Sequence, residues 1–100
     1  MKVAWASKYP EKVRRVFVES GTRDLDAILE AKRAHDEDSL LARIHSLKGA
    51  LLMLGEKDVA EQCAMLEKTI AAEGVDGASD RLEQFESTMR ELLQRYAEAG

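Results

Sequence analysis

Apolar positions recur along the chain with the three- and four-residue steps of an α-helix. Leu82, Phe85, Met89, Leu92 and Tyr96 form one such series, with Asp, Glu, Gln and Arg between them, as a single buried stripe requires. Val59, Cys63, Leu66 and Ile70 form another. It ends at Glu73-Gly74, where a glycine can take the left-handed conformation that stops a helix. Towards the N-terminus, Val13, Val16 and Phe17 make one apolar patch and Leu25, Ile28 and Leu29 a second. Ser20-Gly21-Thr22 lies between them and predicts a break or kink, with a short first helix before it. A central helix is predicted from about Asp36, a fair N-cap, to Leu54, with Gly55 as its terminator.

Strand signals are nearly absent, and the predicted connections (His35 to Asp38, around Gly55, and Glu73 to Asp76 or Ser79) are all short. Amphipathic helices joined this way pack antiparallel to their neighbours. The expected fold class is therefore all-α: an antiparallel up-and-down four-helix bundle with a short extra N-terminal helix. Residues 1–100 read as one domain with a bundle core over about 22–99, since 100 residues suit one core and not two.

The central helix carries a second apolar face. With His45 at zero and about 100° per residue, Leu40, Ile44, Leu47, Leu51 and Leu54 fall between roughly 180° and 260°, a core-facing stripe. Leu41, Ala42, Gly49 and Leu52 lie within about 60° of His45, on the side turned away from that stripe, and Lys48 sits near −60°. A helix apolar on two sides is either buried all round or presents one side to a partner. Glycine in a helix interior costs ~1 kcal/mol relative to alanine, and Gly49 is best explained by access, its missing side chain letting another molecule approach the imidazole.

Charge and composition narrow the function. Nineteen acids and fifteen bases give a net charge of −4, spread along the chain without a basic patch, so neither nucleic acid nor an anionic membrane is an expected partner. The single cysteine, Cys63, excludes an internal disulfide and reads as a small core residue. No run approaches the roughly eighteen apolar residues of a membrane span, and MKVAWASKYPEK lacks a signal-peptide core, so a soluble, cytoplasmic chain or piece of one is expected. Imidazole is nucleophilic at neutral pH, and an ammonium one turn away offsets the charge of a phosphoryl group it would carry. There is no P-loop or GxGxxG, so the phosphoryl group would come from a partner, with no cofactor bound by this chain.

The run His45-Ser46-Leu47-Lys48-Gly49-Ala50, followed by Leu54-Gly55 and by a helix ending Leu66-Glu67, resembles the histidine-containing phosphotransfer (HPt) domains of bacterial multistep phosphorelays. The resemblance extends from about Phe17 to the C-terminal helix. It implies that His45 accepts a phosphoryl group from a receiver-domain aspartate of a response regulator or hybrid kinase and passes it to another. It further implies that Lys48 steadies the phosphate, that Gly49 keeps the docking face open, and that Mg²⁺ resides on the receiver. Family members often carry a small residue before the histidine, where this chain has Ile44. Many are C-terminal modules of membrane-bound hybrid sensor kinases, and the expected state is a monomer.

A non-catalytic helical adaptor using the same face is the alternative reading. A metal or haem site on His35, His45 and Cys63 has no ligand-like spacing. His35 reads as a solvent residue or a cation at a helix C-terminus. Asp36, Glu37 and Asp38 read as a cap and helix-dipole partners, and Arg43, Met53 and Gln62 could border the docking face or the bundle edge.

Overall fold

A computed structural model describes residues 9–98. Four helices follow one another: α1 (Glu11–Arg33), α2 (Glu37–Met53), α3 (Lys57–Gly77) and α4 (Ser79–Glu98). Contacts between their ends fix the directions. The Tyr9 hydroxyl, just before α1, donates to the Leu54 carbonyl at the end of α2, and His35, after α1, meets Asp76 near the end of α3. Tyr96, near the end of α4, donates to Glu56 at the start of α3 and packs its ring on Phe17 near the start of α1. Successive helices therefore run antiparallel, and α1 closes the bundle against α4, as the sequence pattern predicts.

All four stripes meet in one core. Leu40, Ile44, Leu47 and Leu51 of α2 are fully buried, against Cys63, Leu66 and Ile70 of α3 and Leu82, Phe85, Met89 and Tyr96 of α4. Each buried leucine or isoleucine contributes roughly 1.5–3 kcal/mol through removal from water. Ile44, at one edge of the α2 stripe, is as fully buried as Leu40, Leu47 and Leu51.

The expected break at Ser20-Gly21-Thr22 does not occur, and with it the separate N-terminal helix disappears. α1 runs through this stretch as one 23-residue helix, and Phe17, ahead of Thr22, already belongs to the core. Gly21 is buried where a Cβ would stand 2.8 Å from Leu93 Cδ2. The glycine serves close approach of α4 rather than a turn. Thr22 returns its hydroxyl to the Val18 carbonyl inside the helix instead of capping a new one.

The helix ends follow local chemistry. Asp36 accepts from the Ser39 amide at 3.2 Å and from its hydroxyl at 2.7 Å, the expected N-cap, and these bonds hold its carboxyl below the usual range. At the far end, Gly55 has φ 78°, its amide donates to Leu52 and that of Glu56 to Leu51, the paired bonds of a Schellman stop. α1 ends the same way with His35 in the glycine position at φ 55°, its amide on Lys32 and that of Asp36 on Ala31. His35 is therefore a C-terminal stop, and it is not a lone solvent residue, because its Nε2 lies 2.9 Å from Asp76 Oδ1. His35→Gly should raise stability by about 0.5–1 kcal/mol in a urea titration, because an exposed side-chain hydrogen bond is worth less than the left-handed strain it accompanies.

Gly74 interrupts α3 at φ 80°, ψ 177°, a conformation open to glycine, so the predicted stop occurs there. The chain then resumes a helical course, and Val75 and Ala78 seal the end of the core before α4 begins. The reading of the chain's start as free of a signal peptide falls mostly on residues 1–8, outside the described residues. No helix among the described residues is long and apolar enough to cross a membrane.

Candidate functional site

α2 places His45 away from the core and towards solvent, with 72% of its side chain exposed. The groove beside it, between α2 and α3, holds two charged groups that are mostly covered. Lys48, one turn on, and Glu67 of α3 have side chains 24% and 22% exposed, and Lys48 Nζ donates to Glu67 Oε1 at 2.6 Å. The other oxygen, Oε2, is 3.0 Å from His45 Nδ1. One carboxylate thus joins the two residues of α2.

The electrostatics of this hub set the state of the ring. Partial burial opposes ionisation of Glu67, but the hydrogen bonds from Lys48 and His45, with the charge on Lys48, outweigh it and hold the carboxyl below its ordinary 4.5. An ionised carboxylate only accepts, so Nδ1 carries the proton. In the neutral ring the lone pair is then on Nε2, at the exposed side of the imidazole. The arrangement can present Nε2 as a nucleophile, offset positive charge on the ring with Glu67, and offer an ammonium to an anion arriving there.

The surroundings of His45 follow the predicted face with one correction. Gly49 is exposed, and a Cβ built on it meets nothing within 4 Å, so the missing side chain is not required by this chain's own packing. Ala42 is exposed and Leu52 is 54% exposed. Leu41, expected on the same open face, is instead half-buried and packs against the core, since its direction on the wheel, about 40° from His45, lies on the same side as the partly covered Lys48. It borders the face without standing on it.

The uncommitted residues separate. Arg43 crosses to Asp24 of α1 at 3.3 Å, and Met53 is 88% exposed at the end of α2. Gln62 lines the groove between α3 and α4 with Met65, Arg81 and Gln84, on the other side of α3 from His45. Cys63 is fully buried, and its thiol is pushed up to about 12, first by burial and then by the Glu67 charge, which Lys48 partly opposes. It stays protonated at neutral pH and acts as core.

Glu67 is the residue that the reading by positions passed over, since it entered only as the end of a matching helix. The signal was its place on the wheel: about 40° from Cys63, a carboxylate on the margin of a buried stripe. Lys48 holds the matching margin of α2, about 40° from Ile44. Two opposite charges on facing stripe margins are a pair in waiting.

Among the described residues no group of three or more His, Cys, Asp or Glu side chains could hold a metal ion. No curated protein and no solved structure matches the chain. Residues 12–99 match the model of the Hpt domain family, a span that takes in all of α2, α3 and α4 and all of α1 but its first residue. By that match the chain belongs to the Hpt domain family, with the phosphotransfer role in phosphorelays that membership implies.

Proposed function

We propose that His45 is the phosphoryl-accepting residue, taking the group from a receiver-domain aspartyl phosphate and passing it to the aspartate of a second receiver. The observation that carries this reading is the bond between His45 Nδ1 and Glu67, which keeps a proton on Nδ1 and so places the lone pair of the neutral ring, the form that attacks, on Nε2 of a side chain that is mostly exposed. Its lone pair attacks phosphorus, and the bond from phosphorus to the aspartate oxygen breaks, releasing the aspartate as carboxylate. The ring, now bonded to phosphorus at Nε2 and protonated at Nδ1, carries positive charge opposite Glu67. On return, a carboxylate attacks phosphorus and the electron pair of the N–P bond goes back to Nε2. No proton has to be exchanged with solvent in either direction.

Lys48 stabilises the phosphoryl oxygens in this scheme, and Ala42, Gly49 and Leu52, bordered by Leu41, receive the partner. The partner is a receiver domain of a response regulator or of a hybrid kinase. Mg²⁺ acts on the receiver's side, and this chain binds no cofactor of its own. Hpt domains are phosphocarriers without kinase machinery, in keeping with a site built from two helices and three side chains.

The chain should acquire acid-labile, base-stable label when mixed with a phosphorylated receiver domain, and His45→Gln should acquire none. Absence of label on wild type would leave the domain as an adaptor that binds through this face. Gly49→Gln tests the open face. It should raise helicity and leave the melting temperature equal to or above wild type, since glycine is ~0.7–1 kcal/mol poorer in a helix, while slowing transfer. Normal transfer in that variant would remove access as the reason for the glycine.

A further inference from the structure

In the resting structure Lys48 is not free to meet a phosphate. Its ammonium is bonded to Glu67 at 2.6 Å, and both groups are largely covered, so pulling them apart with nothing in exchange would leave a poorly solvated carboxylate unpaired. The other oxygen of that carboxylate already holds His45 Nδ1 at 3.0 Å, so the ammonium and the imidazole stand on either side of one charge. Among the described ion pairs, Glu67 alone is shared by two basic side chains.

We infer that phosphorylation of His45 switches the partner of Glu67: Lys48 leaves the carboxylate for the phosphoryl oxygens, and the ring that has become cationic takes its place as the carboxylate's counter-charge. This rests on the proposed role of His45. The charges balance at each stage. Before transfer, a neutral ring stands beside a Glu67–Lys48 pair of opposite unit charges. Afterwards the ring, with a proton on Nδ1 and phosphorus on Nε2, carries one positive charge that Glu67 neutralises in place, and the phosphoryl group brings about two negative charges for Lys48 to meet. Lys48 is released by the same bond-making event that creates its new ligand. Glu67 is therefore a positioning residue with two settings: it parks Lys48 beside an empty imidazole and frees it for an occupied one. Removal of the phosphate reverses the exchange, so both oxygens of Glu67 are again engaged when the next partner arrives.

The test uses the whole chain labelled with ¹⁵N and phosphoramidate as donor, whose own N–P bond breaks as ammonia leaves. Coupling between ³¹P and a ring nitrogen reports the modified atom, and the Lys48 ammonium resonance, assigned by its loss in Lys48→Met, reports the exchange. Phosphorylation of wild type should shift the Lys48 resonance, a readout taken on the unaltered chain once the resonance is assigned. Glu67→Gln should displace that resonance strongly in the unphosphorylated protein and leave it unmoved in the phosphorylated one. A Lys48 resonance indifferent to phosphate on His45, or an equal effect of Glu67→Gln in both forms, overturns the exchange while leaving His45 as acceptor. Absence of ³¹P coupling at His45 Nε2, or phosphate retained by His45→Gln, removes the acceptor assignment itself and the exchange with it.

Discussion

Glu67→Gln should slow phosphoryl transfer to His45 on the order of 10²-fold while the bundle stays folded. The glutamine keeps the shape of the side chain but not its charge. It no longer fixes the proton on Nδ1, because an amide can donate to a ring nitrogen as well as accept from it, so part of the population presents Nε2–H, which has no lone pair to attack with. It also withdraws the counter-charge from a ring that becomes positive as the N–P bond forms. Rapid-quench measurement of transfer from a saturating phosphorylated receiver checks this, and a rate within twofold of wild type would remove Glu67 from the chemistry. The carboxyl also links stability to pH with a definite sign. Its folded pKa is depressed below 4.5, so its contribution is complete above the unfolded value and is lost as pH falls through the lower folded one. The difference in melting temperature between wild type and Glu67→Gln should accordingly narrow as the solution is acidified below that point.

Ile44→Ala should act in the opposite way, lowering stability by about 2–5 kcal/mol and leaving the chemistry of the folded molecules intact. Ile44 precedes the candidate acceptor in the chain but is fully buried, so its side chain lies in the core while His45, about 100° further round α2, projects to solvent. Truncation leaves a cavity among the α2, α3 and α4 stripes, and against a total of about 5–15 kcal/mol for a domain that loss is large. The midpoint of urea unfolding gives the loss, and phosphate incorporated per folded chain at low denaturant gives the chemistry. A stable Ile44→Ala variant would mean that the core closes over the gap.

Most of the architecture could be read from spacing because a helix in a small bundle needs one continuous apolar stripe, and these stripes are regular. Leu82 to Tyr96, Val59 to Ile70 and Leu40 to Leu51 all bury as their steps require. Gly21 shows where such reading stops. In sequence it carries the signature of a break, flanked by two hydroxyl residues, and only the approach of Leu93 from α4 reveals that its lack of a side chain is used for packing inside an unbroken helix. His35 is a similar case, since a left-handed position at a helix end is usually signalled by glycine.

The candidate site divides along the same line. His45, Lys48 and Gly49 lie on one helix, where the angle between residues follows from their numbers, so their shared face was legible. Glu67 is separated from His45 by the second half of α2, a turn and the first half of α3, and the register between α2 and α3 is set by packing, which no count along the chain supplies. The partial burial of Leu41 was illegible for a related reason: the wheel gives its direction but not how closely the rest of the core packs against it.

The central claim is that His45 carries phosphate between two aspartates, and a pulse and chase with localisation tests it most directly. The chain would be phosphorylated from one receiver domain and separated from it, and the modified residue identified by mass spectrometry at alkaline pH. An unphosphorylated second receiver would then be added. The account predicts one phosphate on His45 that leaves the chain and appears on the aspartate of the second receiver. Phosphate on any other residue, or phosphate on His45 that no receiver can remove, would contradict it.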